Sequence, residues 1–190
     1  MTDNMTELAL RNFAVTKIAC KRKVDLCVKT AGRVDMPPCI VFSMGDEYSC
    51  VSPQMNGHPV DNLPMTLAAC ANGGFVKFDT ISFISEGYME HVDDTPTERK
   101  RIEMMKRGDF KREFETNPTS GISEVLMITT YGWDGGQHGT AIRFGYDDNG
   151  VPQFTTVMLD RVDDLVIGNT LRSFIEFCHR TETQQQARSN

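Results

Sequence analysis

Hydrophobic positions along the chain fall into segments of two periods. Over residues 5–30, Leu10, Ala14, Ile18, Val24 and Val28 recur near helical spacing, with Phe13 and Cys27 widening the stripe. Lys17, Lys21, Arg22 and Lys23 then fall on the solvated side. Asn4 and Glu7 form a plausible capping box, and Gly32 ends the helix. Short β-branched and aromatic runs follow. "CIVFSM" and "YSCVS" predict a hairpin with Gly45 at its turn. A Pro/Gly-rich loop leads to a second helix through "MTLAACA", capped by Asp61 or Asn62 and stopped at Asn72-Gly73-Gly74. "FVKFDTISFISEGYM" predicts a central strand buried on both faces.

Residues 91–121 change character, with charges of both signs closing on "TNPTSG". A short helix after Thr95-Pro96 suits this excursion. Then "ISEVLMITTY", "TAIRFGY" and "VPQFTTVML" predict a three-strand meander. "NTLRSFIEFCHR" predicts a last helix, with Asn169 or Thr170 as cap and Leu171, Phe174, Ile175 and Cys178 on its buried face. The tail, residues 181–190, has nothing to bury and reads as disordered. The expectation is one α+β domain over residues 1–180. Its mixed, mainly antiparallel sheet has about six strands packed against two or three helices.

The link "GWDGGQHG" matches neither a dinucleotide fingerprint nor a phosphate loop, since another strand follows instead of a helix. If Asp134-Gly135 is a two-residue turn, Tyr131 faces His138 across the hairpin. Val125, Met127, Ile142 and Phe144 then share that face, while Glu124 and Arg143 pair on the other.

Composition narrows the function. The net charge of −6 disfavours a nucleic-acid binder, although seven basic residues lie within 99–112. No apolar run suits a membrane span or a signal peptide, so the expectation is a cytoplasmic protein with no membrane partner. The six cysteines form no C-x-x-C pair and read as reduced, buried thiols. Cys39 and Cys50 are the best-placed pair for a disulfide, because one hairpin holds both.

His58, His91, His138 and His179 show no metal-ligand spacing, and no motif calls for a cofactor. "GHPVDNLP" resembles the JAB/MPN metalloprotease-like motif over a few residues. Where that family places a second His, and Ser and Asp on the helix, this chain has Asn56, Met65 and Ala68. The resemblance therefore implies at most a metal-free relative. Glu86 ends the central strand, near Asp79 and His91, where a carboxylate could act as a general base.

Two functions follow as expectations. The first is a non-enzymatic interaction module that binds itself or another protein, through Tyr131, Trp133, His138 and Arg143. The second is a small hydrolase using Asp79, Glu86, His91 and His138.

Overall fold

The computed structural model describes residues 2–52, 59–90, 107–116, 122–157 and 165–189. Four helices and six strands occur among them. Their order is α1 (Thr2–Thr30), β1 (Cys39–Met44), β2 (Glu47–Val51), α2 (Pro59–Asn72), β3 (Thr80–Glu90), α3 (Arg107–Thr116), β4 (Ile122–Gly132), β5 (Gln137–Tyr146), β6 (Pro152–Val157) and α4 (Leu165–Ser189). The strands form one sheet in the order β2-β1-β3-β4-β5-β6. Every pairing is antiparallel. The fold is the α+β architecture that the sequence indicates. The short helix expected after Thr95-Pro96 lies outside the described residues.

The two faces of the sheet differ in chemistry. On one, Ile40, Phe42, Ile81, Phe83 and Tyr131 meet Leu63 and Leu67 of α2 and Leu171, Phe174, Ile175 and Cys178 of α4. Aromatic rings pack through this core, Phe42 edge-on to Phe78 at 5.4 Å and Phe78 stacked on Phe174 at 6.0 Å. The last helix buries the face its spacing predicts, but it begins earlier and continues through residues 181–189, where disorder was expected. Gln, Ala, Glu and Arg in that stretch are good helix formers, and extending a docked helix costs far less than nucleating one.

The other face packs against α1, and here the helix is rotated from its predicted stripe. Leu8, Asn12, Val15, Thr16, Ala19, Lys23 and Cys27 are buried, whereas Leu10, Phe13 and Val28 are exposed. The cause lies in the sheet beneath. Ser43, Thr80, Ser82 and Thr130 are buried on that face beside Val41, Ile84, Leu126 and Ile128. A helix covering buried hydroxyls must bring polar partners with it. Asn12 does so. Its Nδ2 donates to Thr130 Oγ1 at 3.0 Å, and Thr140 Oγ1 donates to its Oδ1 at 2.5 Å.

Both ends of α1 differ in detail from the sequence reading. The helix starts at Thr2, so Asn4 lies in its first turn. At the other end Gly32 N–H donates to Cys27 O and Ala31 N–H to Val28 O. The left-handed residue is thus Ala31 (φ 52), not Gly32. In the same way α2 begins at Pro59, ahead of Asp61 and Asn62, and closes with Phe75 N–H on Cys70 O and Gly74 at φ 94.

The β4–β5 register corrects the sequence reading by one residue. Thr130 pairs with His138, Tyr131 with Gln137, Val125 with Arg143 and Glu124 with Phe144. Tyr131 and His138 therefore sit on opposite faces, as do Glu124 and Arg143. The loop is the reason. Gly132 N–H donates to Gly136 O and Gly135 N–H to Gly132 O, with Gly135 at φ 86. That is a turn plus one left-handed residue, so Trp133, Asp134 and Gly135 form a three-residue loop where a two-residue turn was assumed. An odd loop changes the parity of pairing and sends each side chain of β5 to the other face.

Candidate functional site

Asp79, at the start of β3, is a structural acceptor. Its Oδ2 takes the Gly45 N–H at 2.7 Å and an Arg11 N–H at 3.4 Å, and its backbone oxygen takes the Trp133 N–H at 2.9 Å. One residue thus ties together the β1–β2 turn, the β4–β5 turn and α1. Glu86 lies seven residues along the same strand, roughly 23 Å away at strand rise. His138 is opposite Thr130 on β5, and its backbone oxygen accepts from Asn12 at 3.4 Å. Asp79, Glu86 and His138 do not converge. His91 lies outside the described residues.

The interaction candidates also separate. Tyr131 is 1% exposed, in the core between the sheet and α4. Trp133 lies half-buried at the turn, edge-on to Phe78 at 5.0 Å and 4.1 Å from the His179 ring. His179 Nε2 lies 2.8 Å from Trp133 O. Trp133 thereby anchors α4 to the hairpin. Arg143 is half-buried opposite Val125, and its Nε has no hydrogen-bond partner among the described residues.

Glu86 belongs instead to an ionic centre beneath α1 that its sequence neighbours do not reveal. Lys23, with 0% of its side chain exposed, places Nζ 2.6 Å from Glu86 Oε1 and donates to Val34 O at 2.6 Å. Its ammonium also stands 4.9 Å from the Phe144 ring centre and 5.5 Å from that of Tyr146. Asp35, Glu86 and Glu124 each bring a carboxylate oxygen within 4.8 Å of the others. Arg33 covers the outer side of Tyr146 at 4.7 Å.

Burial works against the Lys23 ammonium, but hydrogen bonds to Glu86 and Tyr146 outweigh it and hold the group above its ordinary value. Burial pushes the Glu86 carboxyl up, while Lys23 and the Met36 N–H pull it back. Glu124 is raised by burial as well. Tyr88 is pushed up to about 12, by burial first and then by Glu124, Asp35 and Glu115. Three carboxylates at this spacing could ligate a divalent ion, but Glu86 is already paired with Lys23 and Asp35 with Lys111. Lys23 neutralises Glu86 directly and couples α1 to β3.

Sequence patterning missed Lys23 because it sits within "CKRK", a run that reads as solvated surface. The available signal was its spacing from Val15, Ala19 and Cys27, which puts it on a second, narrower stripe.

The third feature is apolar and open. The run from Asn62 to Val76 holds no charged residue, in a chain that is 24% charged. On the outer side of α2, Pro64, Met65, Ala68 and Ala69 are exposed, Met65 at 69%. A groove of about 510 Å³ lies between α2 and α4, lined by Leu67, Ala68, Ala71, Ser173, Phe174 and Phe177 among others. A second, of about 480 Å³, lies between α2 and β2, with Val51, Met65, Ala69 and Phe75 in its walls. Met65 and Ala68, two positions where the JAB/MPN-like motif carries polar residues, belong to this surface.

These features define an α+β domain with a buried Lys23–Glu86 pair on one face of its sheet and an uncharged apolar stretch of α2 over the other. No protein-family model, no curated protein and no solved structure matches the chain. None of the described helices is long and apolar enough to cross a membrane.

Proposed function

We propose that this chain is a non-enzymatic interaction module that associates with a second copy of itself through the outer face of α2 and the adjoining edge of α4. The observation that carries this reading is the exposed, charge-free side of α2 from Asn62 onward, with Met65 at the wall of one groove and Ala68 at the wall of the other. A surface meeting its own copy across a twofold axis must be self-complementary, and any charge near the axis faces its like. With a net charge of −6, most of this protein's surface is poorly suited to that contact, and α2 is the exception. A ridge beside a groove can be matched by the same ridge and groove turned through half a circle. Exposed Phe177, at 47%, extends the apolar area onto α4.

The buried ionic centre supports the same reading. Its cation is supplied by the chain, and its carboxylates hold a helix in place. Light scattering on two variants tests the assignment of the face. Met65→Glu puts like charges into the proposed contact and is expected to lower the dimer fraction at a given concentration. Leu10→Glu, an equally exposed change on α1, is expected to leave it unchanged. Equal behaviour of the two variants would remove α2 as the contact.

A further inference from the structure

Cys39 and Cys50 share the face of the β1–β2 hairpin that α1 covers. Cys50 is directly opposite Val41, so Cys39 is its diagonal neighbour on that face. The two thiols are close enough to act on each other's titration. Cys39 is fully buried, and Cys50 is exposed on the edge strand. From α1, Arg22 spreads its guanidinium over β2. Nη1 donates to Cys50 Sγ at 2.7 Å and Nη2 to Ser52 Oγ at 2.9 Å.

We propose that Cys50 is a site of oxidation by hydrogen peroxide or another small hydroperoxide, with Cys39 as the resolving thiol that closes a disulfide within the hairpin. Three observations together carry this: the accessible sulfur, the guanidinium that stabilises its anion, and the second thiol at the diagonal position on the same face. The Cys39 thiol and the charge of Arg22 outweigh burial and bring the Cys50 thiol down to about 6. The Cys50 thiol and burial push Cys39 up, so the proton rests on Cys39. Burial raises Cys20, Cys70 and Cys178, which sets Cys50 apart as the reactive sulfur.

The chemistry balances in two steps. The Cys50 thiolate attacks one peroxide oxygen, the O–O bond breaks, and the leaving hydroxide or alkoxide takes up the proton that the thiol had released to solvent. Cys50 then carries a sulfenic acid, oxidised by two electrons, and the peroxide is reduced by the same two. Next, Cys39 Sγ attacks Cys50 Sγ, the S–O bond breaks, and the departing hydroxide leaves as water with the proton from Cys39. A diagonal pair must draw its backbones slightly together to bond. Here β2 is the edge strand, paired with β1 among the described strands, so it can move towards its neighbour.

Peptide mapping by mass spectrometry, without reduction, after brief exposure of the reduced protein to hydrogen peroxide tests this. The expected main product is a Cys39–Cys50 cross-linked peptide. Cys39→Ser is expected to stop at a sulfenic acid on Cys50, captured by dimedone, and Cys50→Ser to leave Cys39 unoxidised. Arg22→Gln is expected to slow oxidation of Cys50 by up to about tenfold, through a smaller thiolate fraction. The proposal is overturned if Cys50 reacts no faster than Cys20. It is equally overturned if Cys50 of the unmodified chain passes to sulfinic acid without engaging Cys39.

Discussion

Lys23 shows how one side chain sets the position of a helix. Its ammonium is buried against Glu86, Val34 O and two aromatic rings. Removing one member of such a pair strands the other charge. Lys23→Met is therefore expected to cost about 3–5 kcal/mol in urea unfolding, and Lys23→Met with Glu86→Leu to recover most of that loss. Because the folded-state pKa of Lys23 is raised, its contribution is fully present below the ordinary lysine value of about 10.4 and is lost as pH rises through the folded value. The stability gap between the chain and Lys23→Met should narrow in that alkaline range and stay constant near neutrality. Ala31, at φ 52, carries backbone strain that glycine would not. Ala31→Gly is expected to raise the midpoint of thermal unfolding, by the equivalent of roughly 1 kcal/mol. Neither residue announces its role in sequence. A lysine among other basic residues reads as surface, and the glycine after Ala31 reads as the place for the left-handed turn.

At the scale of elements, local pattern located most helices and strands but not their rotation or register. The last helix was legible because Leu171, Phe174, Ile175 and Cys178 mark an apolar stripe over an apolar sheet face. The first was not, because it covers buried hydroxyls and a buried carboxylate and must spend Asn12 and Lys23 on them. The β4–β5 register turned on one residue of loop length, which glycine-rich sequence leaves open. The β5–β6 hairpin repeats the same device. Asp147 N–H donates to Val151 O, Gly150 N–H to Asp147 O, and Gly150 has φ 75. The two loops differ in their surroundings. A Cβ at Gly135 would meet nothing within 4 Å, whereas one at Gly150 would stand 3.3 Å from Gly32 Cα. Gly135→Ala is expected to cost roughly 1–2 kcal/mol from backbone strain alone. Gly150→Ala should cost more, because that turn also presses on the end of α1. Chemical unfolding of the two variants side by side checks the ranking, and a costlier Gly135→Ala would refute it.

For the whole molecule, the two faces of one sheet have taken different tasks. The polar face is closed by α1 through Asn12, Lys23 and Arg22, and it fixes the helix by hydrogen bonds and charge. The apolar face is covered by α2 and α4, and the outer side of α2 from Asn62 onward stays uncharged and partly open. The carboxylate that sequence singled out, Glu86, belongs to the closed face, and the surface on which the proposed association rests lies on the other. Composition alone could not separate these faces, since both draw on the same balance of apolar and polar residues. Sedimentation equilibrium over a wide concentration range reads the central claim most directly. The expected result is a mass that climbs from 21.3 kDa towards twice that value as concentration rises. A mass that stays at 21.3 kDa up to the highest concentration would contradict self-association through α2.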